Sequence, residues 1–515
     1  MKKKLALLLA GLLALGLTAC GNSNGGNSGN TGNNETQGDA SAATEAKTEL
    51  NLGYQIDPEG LDPQRTAAAS TFIVTNNIYD TLLGVTTDSQ LTNRLAESYE
   101  LSEDGLSITF HLRQGVLFHN GRELKAADVA YTFSRIQDEE CPKSGDYKNI
   151  IDIQTPDDYT VVFTTANLDT MLPTLFAYPW TAIVPEEAAD TLKTNPVGTG
   201  AFRFVEWTPQ QSITLERNDN YWGEPAKLTA VHYSMVPDAT SLLAALQVGE
   251  LDMIPLSGEQ AELVEAMDGY KVVSGPQNAV QLMALNMSRE PLNNVKVRQA
   301  ISMAINKDEV IQASMYGLGQ KIGSHLPVTS AYYVDTTDVL PYDVDAAKAL
   351  LAEAGYPDGF TITLSLPKAY QQHVNAGQVI ADQLSKIGIT VNIDIVEWGY
   401  WLSDIYGGEH NFDMTVCGHT GRLDPYAFLE RYYSTSGDYI SLLTGEVDGL
   451  LDQARQELDE GVRKELYTQI QTTLAEQVPA VYLQTPDQLV GMTENLQGMA
   501  FYPLDIYDLS QLYFE

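Results

Sequence analysis

The stretch NAGQVIADQLSKIGITVNIDIV, residues 375–396, places a helix pattern directly before a strand pattern. Apolar residues recur at helical spacing through 375–387, and Gly388 ends that pattern. In 390–396 apolar and polar residues alternate, which is typical of a half-buried strand. The stretch therefore predicts a helix followed by a strand.

The same succession of elements recurs along the chain. Residues 49–55 and 106–112 have strand patterns, and residues 126–136 have the spacing of a helix. Residues 231–236 read as a strand that leads into a helix over 241–248. Strands interleaved with helices of this length predict an α/β fold, with sheets that are covered by helices on both faces.

The N-terminal segment carries the pattern of an export signal. Three lysines precede an apolar run over residues 5–17, and Cys20 follows Leu17-Thr18-Ala19. This order resembles a bacterial lipoprotein signal, which implies a signal peptide over 1–19 and a lipid on Cys20. Residues 20–47 are rich in Gly, Asn, Ser and Thr and predict a flexible linker. An ordinary cleaved signal and an uncleaved membrane anchor are the alternatives.

Charge and cysteine content restrict the function further. The 515 residues include 30 Lys and Arg against 68 Asp and Glu, a formal net charge of -38. Such a surface repels polyanions, which excludes nucleic acid as a partner. After Cys20 the chain has Cys141 and Cys417, which are either free thiols or a bridge.

A series of motifs in fixed order resembles the family 5 solute-binding proteins of ABC importers, the peptide and nickel binding type. The likeness extends from about residue 52 to the C-terminus. Its motifs are AESY (96–99), SEDG (102–105), LRQGVLFHNG (112–121), ADVAYTF (127–133), NPVGTGAF (195–202), NYW (220–222), VKVRQAI (295–301), NK (306–307) and LAEAGY (351–356).

The resemblance implies a periplasmic-binding-protein-like type II fold. Two α/β lobes would face each other across a cleft, with a smaller extra domain inserted in the first. By this analogy the first lobe takes 48–91, 196–282 and 486–515, the inserted domain 92–195, and the second lobe 283–485. We expect a monomer that hinges around its ligand and requires no cofactor.

The family's cleft includes a loop that ends in Asp-Pro. Here that loop reads CGHTGRLDP, residues 417–425. His419 replaces the usual tryptophan, and Arg422 lies near the place where peptide-binding members have an aspartate that holds an α-amine. An arginine suits a carboxylate or phosphate, while Asp424 could receive a cation. Alternatively, Asp424 caps a helix that begins at Pro425, and Arg422 pairs with a nearby carboxylate.

Aromatic residues at strand ends are further candidates for ligand contact. Tyr54 ends the first predicted strand, and Trp398, Tyr400 and Trp401 follow the strand that ends at Val396. We select Trp398 and Tyr400, because only one of the adjacent pair Tyr400 and Trp401 is expected to face the cleft. Core packing is the alternative for each of them.

Metal and catalytic sites have weaker sequence support. His410, Cys417 and His419 lie within ten residues, with His119 and His325 elsewhere, but no zinc-type pair or His-Glu-x-x-His motif is present.

Taken together, the export signal and the family resemblance predict an extracytoplasmic, lipid-anchored binding protein without enzyme activity, which delivers a short peptide or peptide-like solute to an ABC permease. One form of this prediction is a solute with an anionic group, which Arg422 would bind. The alternatives are a binding protein for a metal chelate or another non-peptide solute, a peptide-sensing receptor or adhesin without transport, and a secreted lipoprotein hydrolase.

Overall fold

Strands and helices alternate through most of the chain that the structure, a computed structural model, describes: residues 47–434, 440 and 445–515. The strands are β1 (Glu49–Tyr54), β2 (Leu83–Val85), β3 (Leu91–Asn93), β4 (Ala96–Leu101), β5 (Ser107–Leu112), β6 (Ile150–Asp157), β7 (Thr160–Thr165), β8 (Phe202–Thr208), β9 (Ser212–Arg217), β10 (Ala230–Met235), β11 (Met253–Pro255), β12 (Tyr270–Pro276), β13 (Ala279–Leu285), β14 (Gly319–Lys321), β15 (Thr361–Pro367), β16 (Thr390–Val396), β17 (Met414–Thr420), β18 (Ala480–Thr493), β19 (Leu496–Gln497) and β20 (Tyr513–Phe514).

The helices are α1 (Ala69–Thr75), α2 (Ala126–Ile136), α3 (Leu172–Leu175), α4 (Ala239–Gln247), α5 (Gly258–Glu265), α6 (Val295–Met303), α7 (Lys307–Met315), α8 (Val344–Glu353), α9 (Gln371–Ser385), α10 (Trp398–Tyr400), α11 (Pro425–Tyr433), α12 (Asp448–Gln456) and α13 (Glu460–Gln477). A π-helical turn, Trp401–Tyr406, continues from α10. The predicted signal peptide, Cys20 and all but the last residue of the predicted linker lie outside the described residues.

The predicted strand and helix positions agree with the structure to within a few residues. Helix α2 and strand β16 have the predicted bounds, and α9 begins four residues earlier than predicted. At the start of α4 the Asp238 side chain accepts a hydrogen bond from the Ser241 N–H at 2.7 Å, which satisfies a backbone donor that has no partner within the helix. The predicted α/β class is confirmed.

Strand β16 differs from the expected half-buried strand. Ile393 and Ile395 are 39% and 49% exposed, although they alternate with polar residues as predicted. The reason is that β16 lies at the edge of its sheet, paired with β15 alone. The pattern indicated the strand correctly, but burial depended on its place in the sheet.

Most of the strands form one sheet of twelve, with the order β16-β15-β17-β13-β18-β11-β1-β10-β9-β8, in which β12 and β14 also pair with β18. We call the part that contains β1 and β8–β12 the first lobe, and the part that contains β13–β17 the second lobe. In β18, the residues up to Gln484 pair with β13, and those from Asp487 onward pair with β12. The backbone N–H of Gln277 donates to Pro486 O at 2.9 Å, so two chain segments cross between the lobes side by side.

A separate antiparallel sheet, with the order β4-β5-β7-β6, spans residues 96–165. Its core is aromatic: Phe110, Phe133 and Phe163 are buried, and the ring centroids of Phe133 and Phe163 are 4.8 Å apart in an edge-on arrangement. This sheet lies within the segment 92–195 that the sequence assigns to an inserted domain. The residue boundaries of the predicted domains stay a prediction.

Both cysteines of the described chain, Cys141 and Cys417, are free and buried. Among the described residues, no helix combines the length and the apolar character that crossing a bilayer requires.

Candidate functional site

Three neighbouring cavities lie at the junction of the two lobes and on either side of it. The Trp180 cavity has a volume of about 460 Å³, the Trp398 cavity about 420 Å³ and the Tyr54 cavity about 300 Å³. His419 and Thr420 line both of the larger cavities, and Asp505 lines both the Trp180 and the Tyr54 cavities. Residues of both lobes line the Trp180 cavity, whereas the second lobe lines the Trp398 cavity and the first lobe lines the Tyr54 cavity, each together with Gln277 of a crossing segment. We call this row of neighbouring cavities the cleft.

The loop between β17 and α11 forms one wall of this cleft. The Gly421 N–H donates to Asn278 O at 2.7 Å, which attaches the loop to a crossing segment. A Cβ atom at residue 421 would lie 2.1 Å from Asn278 Oδ1, and Asn278 Nδ2 in turn donates to Pro503 O at 2.7 Å. Because Asn278 is buried and fixed, only glycine fits this close approach.

Arg422 lies in the cleft, as predicted for the loop. It lines the Trp180 cavity, and its side chain is 16% exposed. Its Nη1 atom is 3.9 Å from Asp146 Oδ2, a long ion pair, and its Cζ atom lies 6.0 Å from the centre of the Trp180 ring. Arg422 is thus near a carboxylate, as the alternative interpretation states, while it also faces the cavity.

Asp424 does not line the three cavities of the cleft. It is 2% exposed and caps α11, where its Oδ1 accepts the Tyr426 N–H at 2.8 Å. Its Oδ2 atom pairs with Arg463 Nη2 at 2.6 Å. Both carboxylate oxygens therefore have partners within the protein, and this geometry corresponds to the cap interpretation rather than to a free cation site.

His419 belongs to a buried polar chain beneath the cleft. Its Nδ1 atom is 2.9 Å from His325 Nε2, and its Nε2 atom is 3.5 Å from Cys417 Sγ. His325 in turn hydrogen-bonds to the hydroxyl of Tyr433. The His419 ring stacks on Tyr432 with 4.1 Å between ring centres. His419 lines the cavities with one face while both ring nitrogens have protein partners.

These contacts bear on the metal alternative. His410 and His119 lie apart from the chain of buried histidines, and the Nε2 atom of His119 is 3.1 Å from Gly200 O. Within the part of the chain that the structure describes, His, Cys, Asp and Glu side chains form no group of three or more that could hold a metal ion.

The aromatic candidates fall into two groups. Trp398 is 36% exposed and lines its cavity, where it stacks on Trp401 with 5.1 Å between centres. Trp401 lines the same cavity and donates from Nε1 to Thr415 Oγ1 at 3.0 Å. Tyr400 is 45% exposed and lines none of the three cavities. The structure thus places Trp401 at the cleft and Tyr400 outside these cavities, because the two adjacent residues of the helical turn face in different directions.

Tyr54 lines the third cavity together with Asp487 and Asp505. Burial raises the pKa of Tyr54 to about 12, and Asp505 adds to the effect. Burial also raises the pKa values of Asp487 and Asp505. Oδ1 of Asp487 is enclosed and has no hydrogen-bond partner among the described residues. This end of the cleft is therefore acidic.

Several residues that line the cleft are not among those predicted from the sequence. Trp180, Lys143 and Arg431 line the first cavity, and Trp180 stacks on Tyr178 with 4.3 Å between ring centres and 8° between planes. Two aromatic residues that flank a proline in a loop, Tyr178-Pro179-Trp180, were the available signal. Local patterns gave no sign that residues 143 and 431 meet there.

The buried histidines predict an acid-sensitive fold. Burial lowers the pKa of His373 to about 4, and burial followed by the charge of His373 lowers that of His419 to about 3. Unfolded histidine has a pKa near 6.5, so below that pH the unfolded chain binds more protons than the folded one. Stability is therefore expected to fall as the pH falls from about 6.5 to about 4, by about 2 kcal/mol for each histidine.

Urea unfolding at pH 7 and pH 4.5 measures this effect. In the variant His373→Gln, which keeps a side chain able to accept the hydrogen bond from Gln281, the loss between the two pH values should shrink by about 2 kcal/mol. His232→Gln, a change at the more exposed His232, serves as the control and should keep the wild-type difference. Equal pH differences in wild type and His373→Gln would contradict the prediction.

Comparison with known proteins identifies the family. The family model described as "Bacterial extracellular solute-binding proteins, family 5 Middle" matches residues 90–439. The dipeptide-binding protein of Escherichia coli (strain K12) is 29% identical over 508 residues, which cover 90% of this chain and 94% of that protein. Di/tripeptide-binding protein 1 of Pseudomonas aeruginosa (strain UCBPP-PA14) is 32% identical over 426 residues, 75% of this chain and 79% of that protein.

Solved structures agree with this result. An ABC transporter-associated periplasmic binding protein from Helicobacter pylori, solved in complex with the peptide STSA, superposes with a TM-score of 0.73 at 28% identity. The match covers 91% of this chain and 98% of that protein. The chain therefore belongs to family 5 of the bacterial extracellular solute-binding proteins.

Proposed function

We propose that this protein captures a short peptide or peptide-like solute in the cleft between its lobes and delivers it to an ABC permease. The observation that carries this proposal is the row of three neighbouring cavities at the junction of the lobes, of which the Trp180 cavity is lined by both. Aromatic side chains and a few fixed polar groups line it, the composition expected of a small-ligand site. The family consists of solute-binding proteins, which argues against an enzyme.

The relatives support a peptide as the ligand class. The proteins from Escherichia coli and Pseudomonas aeruginosa have names that refer to dipeptides and tripeptides, and the structure from Helicobacter pylori holds a tetrapeptide. The acidic Tyr54 cavity suits the free amine of a peptide, because Asp487 and Asp505 could accept hydrogen bonds from an ammonium group.

Contacts across the cleft support capture by closure. The Leu423 N–H donates to the Tyr178 hydroxyl at 3.0 Å, and Arg455 Nη2 pairs with Asp169 Oδ2 at 2.9 Å. Each contact joins a residue of the segment 92–195 to the second lobe. A ligand that touches both sides binds this arrangement better than an open one and so shifts the population toward it.

The place of action follows from the family and the N-terminal signal. Family members are extracellular solute-binding proteins. In our proposal a lipid on Cys20 anchors the protein to the cell membrane. The protein then lies at the outer face of the cytoplasmic membrane or in the periplasm. The 20–47 linker lets the monomer reach its permease. Two acyl chains on one cysteine are needed for stable anchoring, because a single chain binds a membrane only marginally.

Native mass spectrometry of the protein purified from its host tests the proposal directly. The expected result is a complex heavier than the protein by the mass of one short peptide, with no turnover when that peptide is added in excess. Small-angle scattering should show a more compact particle with the peptide than without it. A particle of the same dimensions in both states, or release of cleaved product, would refute the proposal.

Trp398 gives a residue-level test of the same cleft. We expect Trp398→Ala to weaken peptide binding by about 10- to 100-fold, because aromatic anchors in ligand pockets contribute about 1–3 kcal/mol. Stability should change little, since Trp398 is partly exposed. Tyr400→Ala is the matched control two residues away, and calorimetric titration should show no change in its affinity. Equal losses in both variants would remove Trp398 from the site.

A further inference from the structure

Three positively charged side chains converge on the Trp180 cavity: Lys143, Arg422 and Arg431. They come from distant parts of the sequence, and only the fold brings them together. The protein has 30 Lys and Arg against 68 acids and a net charge of -38, so a cavity lined by three positively charged side chains differs in sign from the protein as a whole. The cavity therefore has an electrostatic character of its own.

The Trp180 ring organises two of the three cations. Lys143 Nζ lies 5.0 Å and Arg422 Cζ 6.0 Å from the ring centre, within the range of cation–π attraction. The ring is itself fixed, because Trp180 Nε1 donates to the Tyr147 hydroxyl at 2.8 Å and the indole stacks on Tyr178. Two positive charges are thus held at a rigid surface in the cleft.

Carboxylates within the protein compensate these charges only in part. Asp146, at 3.9 Å, is the partner of Arg422, while Lys143 and Arg431 have no carboxylate within 4.0 Å among the described residues. Asp505 also faces the cavity, and burial raises its pKa. Burial lowers the pKa of Lys143 and the charge of Arg422 lowers it further, while Asp146 raises it and Arg431 lowers it by a smaller effect. An anion in the cavity would relieve this repulsion.

We propose that Lys143, Arg422 and Arg431 form a binding site for the anionic group of the solute, a carboxylate or a phosphate. The inference rests on the proposed function and makes it more specific: the preferred ligand is an acidic short peptide. The side-chain carboxylate of that peptide lies in the Trp180 cavity, where arginine can bind an oxyanion through two parallel hydrogen bonds. The arrangement is the reverse of the one that the family resemblance implies, in which an aspartate near residue 422 holds an amine.

Calorimetric titration of the full chain with three probes tests the site. The probes are the dipeptide Ala-Glu, its neutral counterpart Ala-Gln, and inorganic phosphate. Wild type is expected to bind Ala-Glu at least 10-fold more tightly than Ala-Gln. Arg422→Gln should reduce this preference to about 2-fold or less, and Lys143→Gln and Arg431→Gln should reduce it in the same direction.

Arg289→Gln is the matched control, because Arg289 pairs with Asp413 at 2.9 Å and does not line the three cavities. It should keep the full preference, and thermal unfolding verifies that each variant is folded. The ratio of the two dipeptide affinities is the decisive quantity, since a general structural defect would weaken both ligands equally.

The possible outcomes separate this inference from the proposed function. Equal binding of Ala-Glu and Ala-Gln to wild type, or an unchanged preference in all three variants, overturns the anion site and leaves the peptide function intact. Phosphate binding that Arg422→Gln abolishes, without binding of either dipeptide, supports the anion site and counts against peptides as ligands. No binding of any probe refutes the anion site as stated.

Discussion

Replacement of Arg463 by Met is expected to lower the free energy of unfolding by about 3–5 kcal/mol, the loss typical when one partner of a buried ion pair is removed. Asp424 is 2% exposed, and Arg463 Nη2 is its charged partner at 2.6 Å. Without Arg463 the carboxylate remains enclosed, with its charge uncompensated. Because Asp424 caps α11, the loop that carries Arg422 should loosen together with the fold.

The loss should depend on pH. Burial raises the pKa of Asp424, while Arg463 lowers it, so the variant should have a still higher folded-state pKa. Unfolded aspartate has a pKa near 3.9, and a folded pKa above that value means that the folded state binds the proton more tightly. Stability of the variant relative to wild type therefore falls as the pH rises from about 4, and the deficit should be larger at pH 7 than at pH 4.

Urea unfolding of both proteins at the two pH values gives the measurement. The control is Arg217→Met. Arg217 pairs with Asp219 at 2.8 Å, and the Asp219 side chain is 75% exposed. The control should therefore lose less than about 1 kcal/mol of unfolding free energy. The double variant with Asp424→Asn and Arg463→Met should recover part of the stability at pH 7, because the buried charge is absent. A deficit that grows toward pH 4 would contradict the argument.

The second large effect is expected at Asp80, whose side chain is fully buried. Its carboxylate accepts hydrogen bonds from Thr199 Oγ1 at 3.0 Å and Trp222 Nε1 at 2.9 Å, and pairs with Arg94 Nη2 at 2.8 Å. Asp80→Ala leaves these three donors, and the more distant Tyr221 hydroxyl at 3.5 Å, without this acceptor. We expect a loss of about 3–5 kcal/mol, from an unpaired arginine and unsatisfied polar groups.

Chemical unfolding and the soluble yield both report on this variant. Asp80→Asn should be intermediate, because the amide oxygen can still accept hydrogen bonds but carries no charge. Asp219→Ala removes an aspartate from an exposed pair and should cost less than about 1 kcal/mol. If Asp80→Ala and Asp219→Ala were equally stable, the buried contacts of the Asp80 carboxylate would contribute nothing measurable to the free energy of unfolding.

Local sequence patterns predicted individual elements well. Helix α2 was found because Val129, Phe133 and Ile136 recur at helical spacing, and all three are buried. The cap at Asp424 was recognised as an alternative because proline follows it directly. Such features involve neighbours within a few residues, and periodicity and capping chemistry describe those neighbours fully.

The candidate site was predicted only in part, because its residues come from distant parts of the chain and local patterns describe only near neighbours. Arg422 and Trp398 were selected from a loop and a strand end, and both line cavities of the cleft. The sequence predicts Tyr400 as a contact residue, but Trp401 lines the cavity instead. The reason is that a turn of helix follows β16 and points the two adjacent side chains in different directions. The direction of Trp401 depends on its hydrogen bond to Thr415, and that of Trp398 on its contact with the Tyr370 ring; neither partner belongs to the local sequence.

By itself, the sequence determined the α/β class, the approximate bounds of seven strands and helices, and the family, because these depend on periodicity, on turn residues and on motifs in fixed order. The tertiary structure alone decided that Arg463 pairs with Asp424 and that Lys143 and Arg422 share the Trp180 ring. Contacts between residues far apart in the chain arise when the sheets and lobes pack. Their charges and burial therefore follow from the assembled fold and not from any local stretch of residues.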